Sequence, residues 1–322
     1  MSLFIGSLEL NDKIMVAPMA GVTDRPFRIM VRKFSKALLF TEMIAANSIV
    51  RSHKKTINRA KTYQDEYPIA VQIVGNDPET IAEAAKMSEA SGASLIDINM
   101  GCPVRKLITN ISGAALMKDA ARVGAIVKAA RNAINIPLTV KIRSGWDEKN
   151  INAPEIAHIA ESEGADAVIV HGRTREQMYS GIANLDVIAA VKNKLSIPVI
   201  GNGDIYSSQD AMNMISKTNC NGVMIGRGIL GRPWAVSDIS KALNEGELFA
   251  KPEFSNEEKR KIVLEHYDEI LQYYGIRNGI KIARKHICWY SRNFKNATEF
   301  RERFNLITSL DIAKNMINEF FI

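Results

Sequence analysis

Cysteine is scarce. Three occur in 322 residues, Cys102, Cys220 and Cys288, with no CxxC spacing. That excludes a disulfide framework and a thiolate zinc site, and it fits a reducing compartment. The five histidines are scattered, with no HExxH or Cys/His ligand spacing, so no metal is expected. No apolar run is long enough to cross a bilayer. The start Met1-Ser2-Leu3-Phe4-Ile5-Gly6 lacks a charged beginning and a cleavage pattern. A soluble, cytoplasmic protein that works away from membranes is the expectation. No Gly-rich turn follows the first strand, which argues against an open doubly wound sheet, and no Ser/His/Asp arrangement is readable from spacing.

A hydrophobic fraction of 46% allows a large core. The length suits a barrel of about 250 residues with a smaller appendage. The formal net charge of +7 favours an anionic partner such as nucleic acid. Short apolar strands alternate with helices. They begin near Ile14, Leu38, Ile69, Leu95, Pro137, Ala167, Pro198 and Gly222. Continuous apolar strands suit a parallel sheet covered on both faces. Ile136-Pro137, Ile197-Pro198 and Tyr67-Pro68 each precede a strand, and Gly92-Ala93 and Gly164-Ala165 each close a helix before one. Eight such units predict a TIM (β/α)8 barrel over residues 1–250. After Lys251-Pro252-Glu253-Phe254-Ser255 no strand pattern appears, and residues 251–322 read as a small all-α domain whose first helix starts at Ser255 with Glu257 and Glu258.

In such a barrel, chemistry gathers at the C-terminal ends of the strands. Ile98-Asn99-Met100-Gly101-Cys102-Pro103 runs from strand into loop and holds a thiol beside Arg105 and Lys106. Nearby cations favour thiolate. The plain alternative is a small buried residue in a turn. Lys141 lies among apolar strand residues, where a lysine is costly unless paired or bound; an ion pair with Glu42 or another strand-end carboxylate is the structural alternative. His171 and Gln72 admit similarly plain readings, as a satisfied core histidine and a backbone partner. Gly201-Asn202-Gly203-Asp204 and Gly226-Arg227-Gly228 end the last two strands, where this fold often binds phosphate. Glycine lets backbone N–H groups approach an anion, and Arg227 adds a fork of donors.

Seven motifs in register carry a resemblance. Ala17-Pro18-Met19-Ala20-Gly21-Val22-Thr23-Asp24, Val71-Gln72-Ile73, Asn99-Met100-Gly101-Cys102-Pro103, Val140-Lys141-Ile142-Arg143, His171-Gly172-Arg173, Asn202-Gly203-Asp204 and Gly226-Arg227-Gly228 together resemble a tRNA-dihydrouridine synthase, most similar to the bacterial B-type branch. The resemblance implies FMN, NADPH (or NADH) as reductant, and reduction of uridine to 5,6-dihydrouridine in tRNA. It implies that Pro18, Met19, Ala20, Gln72, Lys141 and His171 line the flavin. Asn202, Gly203, Asp204, Gly226 and Arg227 would hold its phosphate. Cys102 would donate the proton, and Asn99 and Arg173 would meet the substrate. A monomer is expected.

Two basic stretches suit tRNA. Residues 51–61 carry no acid. In the tail, Arg277, Lys281, Arg284, Lys285 and Arg292 share about a third of one helix circumference, apart from an apolar stripe of Ile276, Ile280, Ala283 and Ile287. No Asp or Glu occurs between Leu271 and Ala297. Trp289, Tyr290 and Phe294 are expected in the core. Competing readings are a flavin dehydrogenase of a free pyrimidine or another small metabolite, an aldolase with Lys141 as Schiff base, and a non-catalytic RNA-binding protein.

Overall fold

The structure is a computed structural model that describes residues 2–51, 61–249 and 254–322. The chain divides into two compact units. One comprises Met1–Asp24, Lys36–Gly228 and Ile239–Leu248; the other comprises Arg25–Ser35, Ile229–Asp238 and Phe249–Ile322.

The first unit opens on an antiparallel hairpin, β1 (Leu3–Ile5) and β2 (Leu8–Leu10). Then follow β3 (Ile14–Val16), β4 (Leu38–Phe40), the short β5 (Ile44–Ala45), β6 (Ile69–Val74), β7 (Leu95–Met100) and β8 (Leu138–Arg143). β9 (Ala167–His171), β10 (Val199–Asn202) and β11 (Gly222–Ile225) complete the set. Strands β3, β4 and β6 to β11 pair in parallel, and β11 returns to β3, so the ring closes. This is the TIM barrel predicted from the alternation of strands and helices. Every residue of the ring strands is buried, which is why they read as continuous apolar runs rather than alternating ones.

Side-chain parity sorts the ring into an interior and an exterior. Met15, Leu38, Phe40, Ala70, Leu95, Ala167, Ile169, Ile200 and Met224 meet in one interior cluster, together with Leu3, Ile5 and Leu10 of the hairpin. A Cβ on Gly222, the first residue of β11, would lie 3.2 Å from Leu3. The hairpin therefore stoppers the end where the strands begin. Only β8 of the ring gives nothing to this cluster. Its residues opposite Ala167 and Ile169 are Thr139 and Lys141, so the polar content of the interior begins on that strand.

Outer helices follow local signals. Asp77 accepts from the Thr80 N–H at 2.9 Å and from its hydroxyl at 2.6 Å, capping helix Pro78–Ala90 with Pro in the first turn. Asp119 caps Ala120–Ala133 in the same way.

The helical unit holds Asn256–Tyr274 and Ile276–Tyr290, which fold back on each other about Gly275 alone at φ 75. A Cβ on Gly279 would lie 2.8 Å from Leu271, so glycine permits the close approach. Ala297–Phe304 and Leu310–Phe320 complete the tail. The expected start at Ser255 is a full capping box with Glu258. The core joins Val263, Tyr267, Ile270, Ile280, Ala283, Ile287, Phe304 and Ile317 to Met30 from helix Arg25–Arg32. That early helix belongs to this unit, although it lies between two barrel strands in the chain. The predicted stripe is corrected at one position: Ile276 is 59% exposed because it opens the helix at the turn. Residues 52–60, most of the first basic stretch, and 251–253, most of the predicted linker, lie outside the described residues. Among the described residues no helix is long and apolar enough to cross a membrane.

Replacing Asp77 by Ala should cost about 1 kcal/mol by chemical denaturation, with Ser recovering most of it. Hydrogen bonds to Thr80 hold the Asp77 carboxyl below its ordinary range. The stabilisation is thus present at neutral pH and fades as pH falls through that depressed value. An unchanged midpoint would refute the cap.

Candidate active site

The open end of the barrel carries a connected polar layer. Asp97, buried mid-strand in β7, accepts from Gln72 Nε2 at 2.7 Å and from the Thr139 hydroxyl at 2.6 Å. Gln72 Oε1 accepts from Asn99 Nδ2 at 2.9 Å. Asn99 Oδ1 in turn accepts from the N–H of Gly101 at 3.2 Å and of Cys102 at 2.9 Å. Three neighbouring strands thus hold the start of the cysteine loop through side chains alone. The far side of that loop is held too: Cys102 O accepts from Ala114 N–H at 3.0 Å, and Arg143 Nε donates to Gly101 O at 2.7 Å. Gly113, at φ 62, has room only for hydrogen, since a Cβ would sit 2.8 Å from Cys102 O.

Lys141 stands beside this layer, 9% exposed. Its Nζ donates to Asn202 Oδ1 at 3.0 Å, and Asn202 Nδ2 donates to Met224 O at 2.7 Å. Burial, reinforced by Arg143, lowers the Lys141 ammonium, while Asp97 opposes the shift. Burial raises the Asp97 carboxyl above the carboxylate range, against Thr139, Gln72 and Lys141. An isolated buried charge costs several kcal/mol, so the two groups sustain each other's charge. Asp97, rather than Glu42, is the carboxylate that acts on Lys141; Glu42 accepts from Gly21 N–H at 2.5 Å.

Beyond Lys141 the strand ends gather cations. Desolvation first, then Lys141, Arg143, Arg173 and Arg227, push His171 well below the ordinary histidine value. Its imidazole is therefore neutral at pH 7. Arg227 is 42% exposed and lies 3.8 Å from Asp204 Oδ1. Tyr179 spans two of the cations, with Arg227 4.9 Å and Arg143 5.7 Å from its ring centroid. Gly203 has φ 128, and a Cβ there would lie 2.6 Å from Ala183, so that turn requires glycine. A Cβ on Gly226 would lie 3.6 Å from Met19 Sδ, which puts the loop of Pro18, Met19 and Ala20 beside the end of β11. The arrangement places a partly buried thiol near Lys141 and Arg143, with Arg173 and Arg227 acting on His171 beside them, a cationic setting that favours an anionic ligand.

A family model described as dihydrouridine synthase (Dus) matches residues 15–321. The chain belongs to the dihydrouridine synthase family. It is 45% identical over 318 residues to a probable tRNA-dihydrouridine synthase of Rickettsia bellii, covering 98% of this chain and 97% of that one. It is 41% identical to the tRNA-dihydrouridine synthase B of Pasteurella multocida, over 94% of this chain and 91% of the relative. It is also 41% identical to that of Vibrio cholerae, over 98% of both chains.

In this dihydrouridine synthase, most of the residues singled out from the sequence come together at the open end. Two of them are engaged with the protein itself. Arg173, expected at the substrate, is 2% exposed. It is engaged with Ser180 O at 2.9 Å, Gly181 O at 2.5 Å and Asp204 at 2.8 Å. Asp204, expected at a phosphate, presents a carboxylate that cannot itself attract one; it also accepts from Ala183 N–H at 2.8 Å and braces Arg173 and Arg227. Arg105 and Lys106 are exposed, and the cations that act on Cys102 are Arg143 and Lys141. Asp97, Thr139 and Tyr179 were not foreseen. The signal for Asp97 was available: it shares strand parity with Leu95 and Asn99 in an otherwise apolar run. In the helical unit Arg277, Lys281 and Arg292 are exposed, whereas Arg284 is half-buried and donates to Ile307 O at 2.6 Å, and Lys285 is half-buried. Tyr290 is core, its hydroxyl 3.1 Å from His266 Nδ1. Among the described residues no group of three or more His, Cys, Asp or Glu is placed to hold a metal.

Burial outweighs both cations at Cys102 and raises its thiol above the ordinary range. Alkylation of the Cys102 peptide by iodoacetamide, read by mass spectrometry, should be slow at pH 7 and climb above pH 9. A pH 7 rate at or above that of an unstructured cysteine peptide would overturn this.

Proposed function

We propose that this chain reduces uridine to 5,6-dihydrouridine in tRNA, using FMN and NADPH (or NADH). The observation that carries the reading is the Cys102 loop, anchored by Asn99 and Arg143 beside the buried Lys141. The names of the relatives support tRNA as the substrate.

The residues present fit a phosphorylated flavin. The Gly203 turn admits no Cβ, Arg173 has a buried Nη1 without a partner, and the exposed cation Arg227 is braced from behind. In this reading Pro18, Met19, Ala20, Gln72, Lys141 and His171 hold the ring system. Gly203, Gly226 and Arg227 hold the phosphate, and Asn202 and Asp204 position Lys141 and Arg227. When bound and reduced by NADPH, FMN supplies the hydride that adds to C6 of the uracil. The chain's own part is to finish the reduction. Cys102 gives its proton to C5, and the electron pair left on the uracil forms the new C–H bond. Lys141 and Arg143 then stabilise the thiolate until solvent reprotonates it. Neutral His171 contributes hydrogen bonds without adding charge. Asn99 has its oxygen committed to the loop and one amide N–H to Gln72, so its second N–H is the group left for the base.

A base in folded tRNA must be turned out to reach a barrel mouth, at a cost of a few kcal/mol. Phosphate contacts from Arg277, Lys281 and Arg292 offset that cost, with Arg284 and Lys285 as their buttress. The protein works in the cytoplasm as a monomer, with the barrel as flavin-binding domain and the tail as tRNA-binding domain. A flavin dehydrogenase of a free pyrimidine is the second reading. It would share the anion recess but gain nothing from an acid-free basic helix.

The purified protein should show flavin absorbance that bleaches with NADPH and recovers with unmodified tRNA, but not with free uridine. Recovery with uridine alone would favour the second reading. Cys102→Ala should nearly abolish dihydrouridine while keeping flavin and its bleaching; full activity would remove the thiol from the mechanism. Reversing charge at Arg277 and Lys281 should weaken tRNA binding and flatten its salt dependence without changing flavin content. Unchanged binding would exclude the tail as the tRNA surface.

A further inference from the structure

A cavity of about 450 Å3 lies apart from the residues assigned above, lined by Met117, Lys118, Trp146, Asp147, Asn150 and Asn152. Two loops make it: the 3-10 helix Gly113–Lys118 and the loop that follows β8. Lys118 Nζ stands 3.6 Å from the Trp146 ring centroid, and the Arg175 guanidinium stands 4.8 Å from it. Two cations on one indole make a concentrated positive site. The acid present, Asp147, has its Oδ1 engaged by its own turn, accepting from Lys149 N–H, Asn150 N–H and Asn150 Nδ2. Its charge acts on Lys118, so it offsets one of the two cations and leaves the site net positive. Asn152 Nδ2 donates to Met117 O at 2.6 Å, which fixes the amide's orientation. Its Oδ1 is then a buried acceptor with no partner, and Arg175 Nε is a buried donor with none. A buried polar group left unmet is costly, so the cavity suits a ligand that brings a hydroxyl donor to Asn152 and an anion to Lys118.

The cavity is tied to the thiol loop. The 3-10 helix that supplies Met117 and Lys118 begins at Gly113, next to Cys102 O, and six residues of such a helix span about 12 Å. That is the reach of one or two nucleotides along a strand. We propose that this cavity is a ribonucleotide subsite: Lys118 takes a backbone phosphate and Asn152 Oδ1 accepts from a ribose 2′-hydroxyl of a nucleotide flanking the reduced uridine. A hydroxyl donor at this point distinguishes RNA from DNA. The inference rests on the reading of tRNA as substrate and adds where a neighbouring nucleotide is gripped.

The test uses the full chain with its flavin. Lys118→Ala should weaken tRNA binding about tenfold, as expected for one charge-assisted contact. It should lower the salt slope by about one and raise KM while leaving NADPH bleaching of the flavin unchanged. Lys118→Arg should restore most of the affinity, which a merely packing lysine would not require. Short RNAs carrying a single 2′-deoxy nucleotide beside the target uridine should bind the native protein several-fold more weakly. Asn152→Ala should bind both RNAs alike. Equal tRNA affinity in Lys118→Ala, or no 2′-deoxy penalty at either flanking position in the native protein, overturns the subsite even if dihydrouridine forms. A native protein that forms no dihydrouridine fails the parent reading instead, whichever way the binding experiments fall.

Discussion

A closed ring of parallel strands allows each strand only every second side chain inside, and that constraint orders everything else. At the end where strands begin, the inward positions are Leu38, Leu95, Ala167 and their neighbours, sealed by the hairpin residues Leu3, Ile5 and Leu10. Two residues further along the same strands, parity brings Asp97, Lys141 and Asn202 inward. Further still it brings Asn99, Arg143 and His171. The interior thus changes from hydrocarbon to hydrogen-bonded network within about one strand length. The plug beneath keeps water from Asp97 and Lys141 and so preserves the desolvation that tunes them.

The electrostatics follow from that burial. Dry surroundings oppose a bare charge, so Lys141 and Asp97 share one local balance. The same dryness keeps the Cys102 proton in place although two cations stand near it. Where the layer opens to solvent, Arg227 stands over Tyr179 and the surface turns cationic. A single architecture therefore supplies an acid that retains its proton and a cationic wall that tolerates negative charge, two properties that would conflict in water.

Much of this was legible in the sequence, for physical reasons that differ by element. The strands were legible because burial on both faces demands apolar runs, and helix starts because Asp77, Asp119 and Ser255 are capping residues in capping positions. The strand-end polar residues stood out against those runs. The assignment of helix Arg25–Arg32 to the helical unit was not legible, since strand and helix alternation says nothing about which core a helix joins. Arg173 and Asp204 were assigned to ligands through the family resemblance. Their mutual pairing at 2.8 Å is a three-dimensional fact that spacing does not carry. Ile276 failed for a local reason: helical periodicity places it on the apolar stripe, but the one-residue turn at Gly275 leaves it outside.

The hold of Asn99 on the backbone N–H of Gly101 and Cys102 has an evolutionary and engineering consequence. The place of the thiol is set by the sheet on one side and by Gly113 and Ala114 on the other. Residues 104–111 beyond it, none of them buried, are consequently free to diverge or to be regrafted without displacing the sulfur. Specificity can then be reshaped at the rim while the chemistry beneath stays fixed.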